Sequence, residues 1–298
     1  MKKILSVIAL AAVILGMASC NKEDDMKLER FKITVDDITP LSAHIVITPP
    51  DEQMLYTYTL LNKGTFDWFK AQEGGLKGAL GIFVGDQGTD DYVYELLPNT
   101  KYAMCVGEKD PNESRTILGE VEYARFQTQS MQPQSPDFVE AGLESLPMTG
   151  ECYFYPDANN LVCMSCQYPI PDSDGQKMNL FLFFASDKLT GHFTTDDLFG
   201  YLFWQSFMEV VDSEDEQQEG FMACGADLKG TYDQTTGKYE YKGWCDLLTE
   251  DKELFRVPVT LQCTEWIYEE TDEETEGDAE GAKAPHSLVH RRLQTLKL

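Results

Sequence analysis

The sequence predicts a mainly β protein with two domains: a β-sandwich, then a second antiparallel β-rich domain carrying one short helix. Three observations predict this. Apolar and polar residues alternate over short runs, the period of a half-buried strand. Those runs are punctuated by turn signals such as "PDAN" (156–159) and "PDSDG" (171–175). The chain has 298 residues, 42% of them hydrophobic, enough for about two cores.

Before the first strand comes a segment of another kind. Lys2 and Lys3 precede the apolar run "ILSVIALAAVILG", which is followed by small residues and Cys20. A basic start, a short apolar stretch and small residues are the layout of a secretory signal peptide, here residues 1–19. The run is too short to span a bilayer comfortably, which takes about 20 apolar residues. Met17-Ala18-Ser19-Cys20 resembles the bacterial lipobox, which implies a diacylglycerol thioether and an N-acyl chain on Cys20. Several acyl chains, at about 0.8 kcal/mol per buried CH2, would anchor the chain to a membrane. Residues 20–28 read as a lipidated tether. Asn21-Lys22-Glu23-Asp24-Asp25 is similar to the Lys-then-acidic export signal of Bacteroidota-type lipoproteins, which implies the outer membrane and its outer face.

The sandwich is assigned to residues 29–129. Phe31, Ile33 and Val35, then Ala43, Ile45 and Ile47, alternate across a turn at "DDITPLS", giving two strands. "LYTYTLLNK" is a third. Leu96, Pro98, Thr100 and Tyr102 then follow the L-x-P-x-T-x-Y spacing, and Phe126 and Thr128 an F-x-T ending. These residues resemble a fibronectin type III domain. The resemblance implies a tyrosine corner, in which Tyr102 hydrogen-bonds to upstream backbone across the end of the sandwich. Residues 65–89, with Trp68 and Phe69, a candidate helical turn and a Gly-rich stretch, depart from the pattern and read as an insertion or as remodelled strands. "GGLKGALG" lacks the GK[ST] ending of a phosphate loop.

"SMQPQSPD" (130–137) has the composition of a linker. The second domain covers 138–268. Strands are expected in "ECYFY", "NLVCMSCQYPI", "KMNLFLFFAS", "LKGTYDQ", "GKYEYKGWCDLL" and "LFRVPVTLQC", with a hairpin at "DQTTGK". Leu198, Phe199, Leu202, Phe203, Phe207, Val210 and Val211 recur at helical spacing after a candidate cap at Thr194 or Thr195, so the short helix is placed there. Residues 269–298 begin with an acidic low-complexity run and read as a disordered tail.

Charge and cysteine content narrow the function classes. The formal charge is −27, and removal of Lys2 and Lys3 with the leader brings it to −27 − 2 = −29. Such a chain has no phosphate-neutralising face for nucleic acid. Eight cysteines leave seven once Cys20 is assigned to lipid, an odd number. On a strand, Cys163 and Cys166 of "VCMSC" point to opposite faces, unlike the sulfurs of a redox or zinc CxxC. Buried thiols and disulfides both remain open.

No cofactor or metal is expected, and no G-x-S-x-G or H-E-x-x-H motif occurs. The reading is a non-catalytic, lipid-anchored envelope lipoprotein with a recognition role, its overall build resembling Bacteroidota-type surface lipoproteins. Glycan capture is one form of that role, with Trp204, Trp244, Tyr239 and Tyr241, and also Tyr153 and Tyr155, as candidate stacking aromatics. An adhesin or assembly component binding an envelope protein is the alternative. A glycan hydrolase, needing only two carboxylates, is the third.

Overall fold

A computed structural model describes residues 31–265 apart from 82, 114–115, 136–147, 156–159, 171–172, 201–204, 213 and 215–216. Cys20, the leader, Trp204 and the acidic tail lie outside the described residues.

The first domain is a sandwich of a three-stranded and a four-stranded sheet. β1 (Lys32–Asp36), β2 (Ser42–Thr48) and β5 (Thr89–Tyr94) form the first, in the order β1-β2-β5. β4 (Phe83–Gly85), β3 (Tyr56–Asn62), β6 (Lys101–Lys109) and β7 (Ile117–Gln127) form the second, in the order β4-β3-β6-β7. All pairs are antiparallel. Period-2 alternation explains the core: Ala43, Ile45 and Ile47 of β2 face Tyr56 of β3 and Tyr102, Met104 and Val106 of β6. The tyrosine corner is present. The Tyr102 hydroxyl accepts the Leu97 N–H at 2.9 Å, and the Thr128 hydroxyl accepts the Thr100 N–H at 2.9 Å while donating to the Leu97 carbonyl at 2.6 Å. This corner and the three-plus-four strand order make the domain fibronectin-III-like.

The departure at 65–89 has a structural meaning. Asn62 caps α1 (Lys63–Ala71) by accepting the Thr65 N–H, and a 3-10 turn follows at Gly75–Ala79. Both lie on the outer face of the four-stranded sheet. Leu61, Ala103 and Cys105 face outward there and are buried under Phe66 and Phe69. β3 and β6 are therefore covered on both faces.

The second domain is a closed barrel. Its strands are β8 (Met148–Tyr155), β9 (Leu161–Pro169), β10 (Lys177–Ala185), β11 (Gly191–Thr194), β12 (Phe207–Val211), β13 (Gln217–Asp233), β14 (Lys238–Leu248) and β15 (Leu254–Glu265). The order is β11-β13-β12-β10-β9-β8-β15-β14, and β14 pairs back to β13, which closes a ring of seven strands with β11 added beside β13. Every pair is antiparallel except β15 with β8. The interior is packed, with Val257, Val259, Leu261 and Cys263 meeting Met164, Leu180, Leu182, Phe184 and Tyr241. The hairpin at "DQTTGK" is present between β13 and β14.

Among the described residues, which leave out 201–204, the helix expected over 194–211 is not there. Thr194 and Asp197 form a capping box, but it caps a 3-10 turn of three residues, Thr195–Asp197, and Phe207–Val211 form the strand β12. Leu198 packs into the barrel interior while Phe199 packs outside it, and Met208 and Phe207 divide in the same way. Apolar side chains bound for two opposite cores mimic helical spacing. The α-helix found among the described residues, α1, belongs to the first domain.

The two domains are joined by packing. Trp68 of α1 lies edge-on to Phe199, 5.2 Å between centroids, over a patch of Leu161, Cys163, Phe181, Phe183 and Phe207 on the outside of the barrel. Asn62 Nδ2 donates to the Leu198 carbonyl at 2.9 Å, and the Thr65 hydroxyl both donates to the Gly200 carbonyl (3.0 Å) and accepts its N–H (2.8 Å). A second patch brings Leu41, Leu97 and Met131 against Cys224, Leu248 and Leu254. The expected linker is partly strand-like: the Gln134 N–H donates to the Leu254 carbonyl, and its carbonyl accepts the Arg256 N–H, both at 2.8 Å.

Candidate functional site

Strand alternation decides which predicted aromatics face solvent. On β14, Tyr239, Tyr241, Cys245 and Leu247 point into the barrel, so Trp244 and Asp246 point out. Tyr239 and Tyr241 are thereby corrected as ligand-stacking candidates. Tyr241 is 0% exposed, with its hydroxyl donating to the Leu189 carbonyl at 2.6 Å, and Tyr239 is 9% exposed against Tyr232. The side chains of Tyr153 and Tyr155, like Trp204, lie outside the described set. Trp244 remains.

Trp244 is half-buried on the outer face, and its neighbours come from four strands. β13 places Asp227 directly opposite it, β15 places Pro258 on its other side, and β11 brings Thr194 opposite Asp227. One row along, Gly225, Asp246 and Arg256 face each other. The Arg256 guanidinium lies over the indole, 3.6 Å from the ring centroid, a cation–π contact worth about 0.5–2 kcal/mol. Asp246 holds the guanidinium in place through two parallel hydrogen bonds, Nε to Oδ1 at 2.7 Å and Nη2 to Oδ2 at 2.8 Å. Glycine at 225 leaves room for that carboxylate, since a Cβ there would meet Asp246 Oδ2 at 3.0 Å. His192 Nε2 pairs with Asp227 Oδ1 at 2.9 Å. An indole edge, a fixed guanidinium and two carboxylates thus share one rigid β surface.

The thiols offer no reactive chemistry. All seven described cysteines are buried and free. Burial pushes Cys105 up to about 12 and moves Cys163, Cys166, Cys224 and Cys245 in the same direction, so they stay protonated at neutral pH. For Cys152 the hydrogen bond to Cys263 adds to burial in the same sense. Cys163 and Cys166 sit in different clusters on opposite faces of β9, as alternation requires. No group of three or more His, Cys, Asp or Glu among the described residues is arranged to hold a metal, and no described helix is long and apolar enough to cross a membrane.

Sequence reasoning did not find Arg256, Asp246, Asp227 or His192 as companions of Trp244. A usable clue was present: the inward alternation from Val257 to Cys263 forces Arg256 outward. The register that sets it beside Trp244 is a property of the closed sheet.

No family model matches the chain, and no curated protein matches it. Among solved structures it is similar to the central fibronectin-III array of RIM-binding protein, at 13% identity and a TM-score of 0.23, covering 63% of this chain and 57% of that one. It is also similar to the FN1–FN3 domains of chicken CNTN1, at 10% identity and a TM-score of 0.24, covering 78% and 66%. The chain spans less than two thirds of the first of these. Scores this low carry no argument, and the fibronectin-III-like character of residues 32–127 rests on strand order and the tyrosine corner.

Proposed function

We propose that the protein is a non-catalytic recognition protein, anchored by lipid on Cys20 at the outer membrane and exposed at the cell surface, and that it captures glycan on the barrel face around Trp244. The carrying observation is the Trp244–Arg256–Asp246 arrangement. The indole edge can meet the C–H groups of a sugar, while the guanidinium stacked on the indole, Asp227 and His192 offer donors and acceptors to its hydroxyls. These groups are fixed before binding, which lowers the entropic cost of capture. The lipobox residues Met17–Cys20 and the acidic run after them support the anchor and the surface address.

Binding of the full soluble chain to an array of dietary, host and microbial glycans tests the capture reading. The expected result is a saturable hit that weakens about tenfold or more in Trp244→Ala, with the fold retained by circular dichroism. A folded protein that binds no glycan overturns it and moves the weight to an envelope protein partner, to be sought by crosslinking on cells. Mass spectrometry of the N-terminal peptide tests the lipid on Cys20.

A further inference from the structure

We propose that the groove between α1 and the β6–β7 hairpin is a second binding site, and that it takes a sugar acid, a uronate residue of a glycan. This builds on the glycan reading above but not on Trp244. The groove has a volume of about 480 Å³, within the range of small-molecule sites, with Lys63, Phe66 and Asp67 on the helix side and Lys101, Ala103 and Arg125 on the sheet side. Three cations thus converge in a chain whose net charge is −27.

Their pairing states differ, and the difference defines the ligand. Lys63 is paired with Asp67 on the next turn, and Lys101 with Asp196 of the barrel at 2.6 Å. Arg125 has no carboxylate partner among the described residues. Its guanidinium is held over two rings instead, 5.0 Å from the Phe66 centroid and 5.3 Å from that of Tyr123. Phe66 is itself buried and edge-on to Tyr123 at 4.9 Å, so the support is rigid. Directly opposite Arg125 in the sheet stands Ala103, a small residue in the groove lining. A planar fork positioned but not neutralised is suited to accept a carboxylate through two parallel hydrogen bonds.

The paired groups fit what surrounds such a carboxylate. Each Lys–Asp pair sets spare N–H donors beside spare carboxylate acceptors, the complement of a hydroxyl group, which both gives and takes a hydrogen bond. One carboxylate among hydroxyls is a sugar acid. A polyacidic peptide matches less well, because beyond Arg125 it meets Asp67 and Asp196 as like charges.

Isothermal titration of the full soluble chain with trigalacturonate, and with the neutral galactose trimer, decides the matter. Expected are saturable binding of the uronate trimer that weakens with added salt, and affinity at least about tenfold lower for the neutral trimer. Arg125→Gln should lose a similar factor, Arg125→Lys should recover only part of it, and Trp244→Ala should leave uronate binding unchanged. That last variant separates failure of this site from failure of the Trp244 face. Equal binding of the two trimers, no binding at millimolar uronate, an unaffected Arg125→Gln, or tighter binding of an oligo-aspartate of equal charge would each overturn the proposal. The trimer comparison needs no variant, and Arg125 is exposed, so its replacement leaves both cores intact.

Discussion

Gly64 offers a test of the interdomain joint in which two physical effects predict opposite signs. It lies in the first turn of α1, against the backbone of the barrel's 3-10 turn. A Cβ there would stand 2.8 Å from the Asp197 carbonyl oxygen and closer still to that of Leu198. A carbon needs about 3.3 Å from a carbonyl oxygen, so Gly64→Ala forces the helix back by about 1 Å. That withdrawal breaks the Asn62–Leu198 hydrogen bond and both Thr65–Gly200 hydrogen bonds, at about 1 kcal/mol each, and loosens the Trp68–Phe199 contact, worth about another 1 kcal/mol. Against this, alanine in a helix is better than glycine by about 0.5–1 kcal/mol. The net expectation is a loss of about 3 kcal/mol at the joint. Amide hydrogen exchange reads it directly, because the Gly200 N–H is held only while Thr65 is docked. Its exchange should accelerate roughly 100-fold, with the interior amides of β9 and β10 little changed. If Gly64→Ala melts at or above the wild-type temperature and Gly200 stays protected, helix propensity has won and the joint is not as described.

Two further predictions concern charge and sulfur. Both ring nitrogens of His44 face carboxylates at 2.7 Å, Nδ1 towards Asp36 and Nε2 towards Asp90, and only the cation can donate to both. The hydrogen bond to Asp90, then that to Asp36, raises its pKa above 6.5. The stabilisation this gives is therefore fully present below about pH 6.5 and fades as pH rises through the elevated folded-state value. An NMR titration should find a His44 midpoint above 6.5 that falls in Asp90→Asn; a midpoint at or below 6.5 would rule the network out. For the thiols, Ellman's reagent should label none of Cys105, Cys152, Cys163, Cys166, Cys224, Cys245 and Cys263 in the native chain and all seven in urea. Rapid native labelling, or fewer than seven in urea under non-reducing conditions, would contradict seven buried free thiols.

Where one face of a strand is buried and the other solvated, the sequence spoke clearly. β2 is the plain case: Ala43, Ile45 and Ile47 inward, His44 outward, and the strand was legible residue by residue. The motif from Leu96 to Tyr102 was legible for a different reason, since a tyrosine corner needs a hydroxyl at one fixed offset from a turn. Elements buried on both faces were harder. β10 has apolar side chains inside the barrel and under α1, so "MNLFLFF" has no period at all. The region from Leu198 to Val211 failed on the same ground, with Leu198 and Met208 in one core and Phe199 and Phe207 in another. The candidate sites were the least legible part. Trp244 was visible as a residue, but Arg256 reaches it through the β14–β15 register, and Arg125 meets Phe66 only because α1 folds over the sheet.

The features that defeated the pattern are the ones that distinguish this chain from a plain string of β modules. A module that packs only on itself needs one apolar face per strand. Here β3 and β6 carry a second apolar face for α1, and β9, β10 and β12 carry a second for the joint. A flexibly hinged pair would have no use for that extra burial, since inter-domain contacts of ordinary size and polarity permit motion. Two apolar patches, three hydrogen bonds at the α1 joint, the Lys101–Asp196 ion pair and a docked connecting segment instead fix the sandwich against the barrel. The groove is lined by the sandwich alone, and the barrel reaches it through one side chain. Asp196 belongs to the barrel and reaches Lys101 only while α1 is docked, so the acceptor on that side of the groove exists only in the joined state. Gly64→Ala should therefore weaken uronate binding. A joint variant that separates the domains yet binds the uronate trimer as before would show that the groove is complete within the sandwich alone.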